Sequence, residues 1–525
     1  MKENYMGVMI DCSRNGVMKP SRVKDFIDAI VKMNYNMLML YTEDTYEVEG
    51  QPLFGYMRGR YTYEEINDMV EYADKKGVEI IPCIQTLAHL NQMFKWPVYD
   101  EIKDIDDILL VDNEKTYELI EDMFRSVRKA FKSEYVHIGM DEAGRLGLGK
   151  YLKLHGFEDR YQILSRHLKK VVSIAEKYNF KPMMWGDMFF HLACDNYTTA
   201  DPDLITEEIA NLVPENLELV YWDYFGTEKS HYDTMMQAYS HFHNKMWFAG
   251  SAIDYAGLAP HNGFSLKFNK AAMASCRENK VNKMFLTVWG DNGQETSRFT
   301  ILPTLMYAAE LYKGNDDIDQ IKQKFKELFN IGFDDMMLLD LPSLIRTENN
   351  EGNMEKIMLY SDPFLGFYDY AVDADLSAES KYVEYAEKLA PLSRHYEFGY
   401  LFKTSETLCR LLSVKYTLGI RSRKAYKSGN VKELIERYKK CEELLEKFYN
   451  AICERWKKDE KPFGFEIIDI RIGGVKRRLM HCRRKLEQFD RGEINKIDEL
   501  EIEILNTNSK CQNNIWTTII SPNCV

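Results

Sequence analysis

The chain has 525 residues, 69 basic against 82 acidic side chains, a formal net charge of −13, and 45% hydrophobic and 29% charged residues. That is room for one fold of about 250 residues plus an appendage, with fractions that exclude disorder, collagen and a coiled-coil rod. The acidic balance disfavours nucleic acid and anionic membranes as partners, and no apolar run approaches the ~18 residues of a membrane span.

The apolar start ends at residues 11–14, Asp-Cys-Ser-Arg, too early for a signal peptide. Ten cysteines are scattered without a Cys-x-x-Cys pair or a zinc-type Cys/His group. Reduced, mostly buried thiols, a cytoplasmic location and neither metal nor organic cofactor are the expectation.

In chain order, short apolar runs lie at 7–10, 36–40, 79–84, 135–140, 181–185, 217–222, 245–249 and 283–289. Amphipathic helical patterns separate them at 22–33, 63–76, 115–131, 160–178, 206–212, 232–241 and 266–279, with another at 302–312. Strands alternating with helices imply right-handed crossovers and a parallel sheet, and eight units in about 300 residues are the count of a (β/α)8 TIM barrel, within the α/β class. A doubly wound open sheet is the alternative, disfavoured because no Gly-x-Gly-x-x-Gly follows an early run.

The texture changes near residue 335, so the reading divides the chain into a barrel over 1–335 and a mainly α-helical C-terminal domain over 336–525. In the second part, helical stretches at 380–390, 402–427, 431–455 and 467–491 carry heptad-like apolar spacing (Leu434, Tyr438, Cys441, Leu445, Phe448). Residues 500–505 read equally as strand or helix. Such a tail covers a barrel flank or supplies a homodimer surface.

Nearly every run ends in residues able to do chemistry or grip a sugar: Asp11 and Arg14, Glu43 and Asp44, His89, Asp141 and Glu142, Trp185 and Asp187, Trp222 to Tyr224, Asp254 and Tyr255, Trp289 and Asp291. In a barrel these converge on one face. The sharpest segment is Val136-His-Ile-Gly-Met-Asp-Glu-Ala143. Alternation along a strand sends adjacent side chains to opposite faces, so both acids reach one pocket only if the strand has ended. Two carboxyls that close repel each other's ionisation, which suits one of them to serve as a general acid. The bland reading is Asp141 as a helix cap with Glu142 on the dipole. Three strand-end tryptophans (185, 222, 289) out of seven in the chain tip the balance, because indole faces stack on sugar rings while carboxylates, Arg and Asn hold hydroxyls.

These residues resemble glycoside hydrolase family 20, the β-N-acetylhexosaminidases, over roughly residues 5–310. The family's His-x-Gly-Gly-Asp-Glu is matched by His137-Ile-Gly-Met-Asp-Glu142, with Met140 for the second Gly. Its Trp-Gly-Glu is matched by Trp289-Gly290-Asp291. The first-strand arginine falls on Arg14, the second-strand acidic turn on Thr42-Glu43-Asp44 and the third-strand histidine on His89.

The resemblance implies Glu142 as general acid/base and Asp141 as the group that orients and polarises a 2-acetamido group. The acetamide oxygen is then the internal nucleophile, and configuration is retained. It implies a tyrosine on the acetamide oxygen, for which Tyr224 and Tyr255 stand equally. Trp289 becomes the platform, with Trp185 and Trp222 around the methyl. Arg14 grips the C3 and C4 hydroxyls, and Asp291 takes the C4 or C6 hydroxyl, a contact that Asn292 or Glu295 would take if its shorter arm falls short. His89 and His137 hold the acidic pair, their bland alternative being buried core histidines.

The expected activity is exo-acting removal of a terminal GlcNAc or GalNAc from an oligosaccharide or glycoconjugate. Its rivals are a non-catalytic sugar-binding protein on the same barrel and a hydrolase of sulfated or peptide-linked amino sugars. The pair His241 and His243 has no third ligand nearby and reads as a solvated helix end. The glycine run at 144–149 lacks nucleotide-loop spacing. Linkage preference resides in loops such as 50–61 and 191–202, which carry no readable code.

Overall fold

The protein is described from a computed structural model, over residues 4–192, 194, 197, 201–255, 257–345, 352–372, 376–505 and 516–521. Most of 193–200, in one of the expected specificity loops, lies outside the described residues, as do Cys511 and Cys524.

Eight parallel strands close a barrel: β1 (Tyr5–Asp11), β2 (Met37–Tyr41), β3 (Glu79–Cys83), β4 (Tyr135–His137), β5 (Lys181–Trp185), β6 (Glu218–Trp222), β7 (Met246–Ser251) and β8 (Lys283–Val288). Each pairs with its neighbours in chain order, and β8 closes on β1 in the register Tyr5↔Lys283 to Ile10↔Val288. The expected barrel is therefore the observed one, with all eight strands on the runs that predicted them. A two-stranded antiparallel piece between β3 and β4 (Lys103–Ile105 with Ile108–Leu109) was not foreseen. At two and three residues it is too short to show a period.

The strands alternate as a barrel requires. Met9, Met39, Tyr41, Cys83, Met183, Trp185, Val220, Trp247 and Phe285 fill the interior, while Val8, Ile10, Leu38, Leu40 and Leu286 join the larger core under the helices. The bottom of the barrel is closed by Lys283, whose Nζ meets Glu218 at 2.7 Å and the Tyr135 hydroxyl at 2.8 Å.

Helices Ala378–Leu389, Gly399–Lys415, Leu418–Lys427, Lys432–Asp459 and Phe465–Asp490 build the C-terminal part. The single stretch expected at 402–427 is two helices. Thr417 leaves helical geometry at φ −103°, ψ 4°, and its hydroxyl hydrogen-bonds Glu379 on a neighbouring helix. Asp498–Glu501 settles the start of the 500–505 stretch as a helical turn.

This part is clamped to the barrel. Asp459 accepts from Arg22 (3.1 Å) and Ser297 (2.6 Å), and the Lys461 N–H reaches the Val17 carbonyl at 2.7 Å.

Candidate active site

Strand β4 ends at His137, and the chain then breaks out of extended geometry: Gly139, Met140 and Glu142 lie at φ +72°, +71° and +53°. That break brings both carboxylates of the Asp141–Glu142 pair to the pocket. Gly139 has no substitute, since a Cβ there would sit 2.0 Å from Gln85 Oε1 and 2.9 Å from the Ile84 carbonyl. Met140 holds a left-handed conformation where the resembling motif has Gly, at a cost of about 1–2 kcal/mol. Its buried side chain and a 3.1 Å bond from its N–H to Gln85 Oε1 offset that strain.

Asp141 is buried. Its Oδ1 accepts from Gln85 Nε2 at 2.7 Å, and its Oδ2 lies 3.2 Å from His89 Nε2. Burial alone would raise its pKa, but the His89 charge 3.2 Å away and the Gln85 hydrogen bond hold the carboxyl down to about 2. His89, likewise against burial, is pushed up to about 10, chiefly by Asp141. The two form an ion pair at neutral pH.

Glu142 differs. Its side chain is 57% exposed, its Oε2 is 3.5 Å from His89, and the surrounding protein mass followed by the Asp141 charge raises its carboxyl above the ordinary range. One ionised acid beside one inclined to stay protonated is the division that acid catalysis needs.

Asp187, just after β5, is fully buried. It accepts from the Glu142 N–H at 3.1 Å and from the Trp222 side chain, and burial, then Asp141, push its carboxyl up to about 8. It fixes the backbone that carries Glu142.

Arg14 crosses the other side. It meets Asp11 at 3.1 Å, Glu43 at 3.3 Å and Asp291 at 3.7 Å, and its guanidinium carbon lies 5.0 Å from the ring centroids of both Tyr41 and Trp289. Asp11 ties β1 to the loop after β8 by accepting from the Gly290 N–H at 2.9 Å. Burial pushes Glu43 up to about 7 against the Arg14 charge.

Arg14, Asp141, Glu142, Trp185, Trp222, Tyr224, Trp289 and Asp291 line one cavity. Trp185 and Trp289 stand 6.1 Å apart, and Trp222 lies 5.5 Å from Tyr224. The Trp289 Nε1–H donates to the Tyr224 hydroxyl at 3.2 Å. The arrangement supplies an aromatic cage, a gripping cation, an anion and a proton donor.

The remaining predicted residues divide. Tyr255 packs against the same aromatic group, its hydroxyl 3.2 Å from Ser251 Oγ, but it is not among the residues lining the cavity. His137 is buried, its Nδ1 accepting from the Gly139 N–H at 3.1 Å with its ring 4.3 Å from Trp185, and desolvation lowers its pKa to about 3. It is a neutral packing and turn-forming group. Asp254 is buried, 3.4 Å from Arg298.

Asn292 and Glu295 do not face the sugar position. Glu295 is 5% exposed and is held by Lys356 (2.5 Å), Tyr360 (2.6 Å) and Arg471 (3.1 Å), while Asn292 bonds Arg471 through its carbonyl (2.7 Å) and side chain (3.0 Å). All three partners belong to the C-terminal part. The loop after β8 is docked to it, an engagement invisible from within the motif.

Sequence reasoning passed over Gln85 and Tyr41. Both continue the inward rows of their strands: Ile81, Cys83, Gln85 and Met37, Met39, Tyr41. Extending the period by one step past β3 would have found Gln85. Among the described residues, no group of three or more His, Cys, Asp or Glu is placed to hold a metal ion, and His243 pairs with Glu207 at 3.1 Å.

Two family descriptions match the chain. "Glycosyl hydrolase family 20, catalytic domain" covers residues 4–240, and "Glycoside Hydrolase 20C C-terminal domain" covers residues 334–519. The chain belongs to glycoside hydrolase family 20. A probable beta-hexosaminidase of Arthroderma benhamiae is 23% identical over 251 residues, 41% of this chain and 38% of that protein. Beta-hexosaminidase 3 of Arabidopsis thaliana is 25% identical over 205 residues, 36% and 38% respectively. The chain thus matches under two fifths of the length of these relatives. The GH20 exo-β-N-acetylglucosaminidase of Vibrio harveyi, solved with N-acetylglucosamine, aligns at TM-score 0.48 and 15% identity over 64% of this chain and 58% of that one.

Proposed function

We propose that this family 20 protein is an exo-acting, retaining β-N-acetylhexosaminidase that removes terminal GlcNAc or GalNAc by substrate-assisted catalysis. The observation that carries the reading is the unequal pair: Asp141, held ionised by His89 and Gln85, next to Glu142, raised and open to the cavity.

An internal nucleophile needs no carboxylate attacker, only a proton donor for the leaving oxygen and an anion for the positive charge that develops on the acetamide. Glu142 supplies the first and Asp141 the second. Tyr224 is the better placed of the two tyrosines to meet the acetamide oxygen, since it lines the cavity beside Trp222. Water attack on the oxazoline, with Glu142 now the base, completes retention.

A non-catalytic sugar binder would gain nothing from a pair polarised in this way. The beta-hexosaminidase names of the matching proteins support the same activity. The test is hydrolysis of aryl N-acetyl-β-glucosaminide, N-acetyl-β-galactosaminide and plain β-glucoside by wild type and Glu142→Gln. Release from the acetamido sugars only, lost for poor leaving groups in the variant, is the expected result. Equal release from the plain glucoside would overturn it.

A further inference from the structure

The pairing of β1 with β8 ends at Ile10↔Val288. One residue further along each strand, the carbonyls of Asp11 and Trp289 accept from a single guanidinium, that of Arg298, with Trp289 at 3.3 Å. Buried carbonyls still need a donor where the ladder stops. A guanidinium, with five N–H groups in a rigid plane, can serve several at once.

Arg298 is 2% exposed and begins the short helix Arg298–Ile301. Asp254, after β7, supplies a carboxylate at 3.4 Å. Burial opposes the charge of Arg298, but Asp254, Glu460 of the C-terminal part and Asp11 outweigh that and keep it ionised. One side chain thus fastens the tops of three neighbouring strands, β7, β8 and β1.

What it fastens is the side of the cavity that grips the sugar. Trp289 lines the cavity, and Arg14 crosses it while ion-paired to Asp11 at 3.1 Å. The Asp11 side chain in turn accepts from the Gly290 N–H at 2.9 Å. The packing leaves little slack, since a Cβ on Gly290 would lie 3.2 Å from Arg298 Nη2 and 3.4 Å from Arg14 Cβ. The hydrogen bonds of Arg298 go to Asp11, Trp289 and Asp254, whereas Asp141 and Glu142 are held by His89, Gln85 and Asp187.

We propose that Arg298 is a positioning residue for the sugar grip. By closing the top of the β1–β8 seam it fixes Trp289 and the Asp11–Arg14 pair against one another, and so sets how tightly the amino sugar is held without acting on proton transfer. The proposal deepens the hexosaminidase reading and rests on it. It also gives Asp254 a place, as the counter-ion of Arg298 rather than a group on the sugar.

The test uses Arg298→Lys, which keeps the cation but puts one nitrogen in place of a fork, and the paired variant Arg298→Met with Asp254→Asn. The pairing avoids leaving Asp254 as a buried carboxylate without its cation. Asp254→Asn alone is the third, mildest variant. Steady-state kinetics on an aryl N-acetyl-β-glucosaminide, pH profiles of kcat, and calorimetric titration with free GlcNAc are compared with wild type. In the paired variant KM and the GlcNAc dissociation constant should both rise about tenfold, the worth of one charge-assisted hydrogen bond. Arg298→Lys should fall between that variant and wild type, with both limbs of the pH profile in place throughout. Unchanged KM and GlcNAc affinity in the folded variants overturn the proposal, as does a shift of the pH limbs at constant KM, which would put Arg298 on the acidic pair instead. A wild type that binds GlcNAc but hydrolyses no acetamido sugar overturns the hexosaminidase reading, and the GlcNAc titrations then still decide the role of Arg298.

Discussion

The contact between Glu295 and Arg471 is the most exacting place to test how the two parts of the chain are joined. Arg471→Met keeps the length of the side chain but removes three donors, at 2.7 and 3.0 Å to Asn292 and 3.1 Å to Glu295. Glu295 does not become an orphan, because Lys356 at 2.5 Å and Tyr360 at 2.6 Å remain. The loss is therefore that of charge-assisted hydrogen bonds, about 1.5–3 kcal/mol, rather than the ~3–5 kcal/mol of stripping a buried charge bare. Glu295→Gln leaves the 1% exposed Lys356 without its anion and should cost about 3 kcal/mol or more. Because the two residues share one network, the double variant should fall short of the summed losses by at least ~1 kcal/mol. Urea unfolding midpoints of wild type, both single variants and the double variant measure this. Additivity within ~0.5 kcal/mol would refute a buried, coupled clamp.

Three further outcomes follow from the site. Glu142→Gln should lower kcat on poor leaving groups by ~10²–10⁴-fold while sparing activated aryl leaving groups, and it should abolish the alkaline limb that the raised Glu142 carboxyl sets, as read from pH–rate profiles. Gln85→Leu removes the 2.7 Å donor to Asp141, so its pKa rises from about 2, the acid limb of the profile moves upward and kcat falls ~10-fold; an unmoved limb would show that Gln85 does not tune Asp141. His89 has a folded pKa of about 10 against ~6.5 unfolded, so its contribution to stability is complete below about pH 6.5 and is lost as pH rises through about 10. Denaturation midpoints of His89→Gln should therefore show a weaker decline than wild type over that window.

Strand order and strand position were legible because every barrel strand is a short apolar run followed by a helical period. The three cavity tryptophans were legible because each stands at a strand end. Asp141 and Glu142 were legible through their adjacency, although the left-handed residues that make the adjacency work, Met140 and Glu142 itself, leave no trace in composition. Asn292 and Glu295 misled because their partners, Lys356, Tyr360 and Arg471, lie 61 to 179 residues further along the chain. A motif read locally cannot report a partner at that distance. Gln85 was missed for another reason: it acts through Asp141, so its role exists only once the loop after β4 has placed that carboxylate.

The most direct measurement of the central claim is a rate series on aryl β-glucosaminides whose N-acyl group is acetyl, fluoroacetyl, difluoroacetyl and trifluoroacetyl. If the acetamide oxygen attacks and Asp141 stabilises the charge it develops, kcat/KM falls steeply with each fluorine, and Asp141→Asn loses most of the activity on the acetyl substrate. A flat series, with Asp141→Asn as active as wild type, would contradict substrate assistance and the division of labour between Asp141 and Glu142.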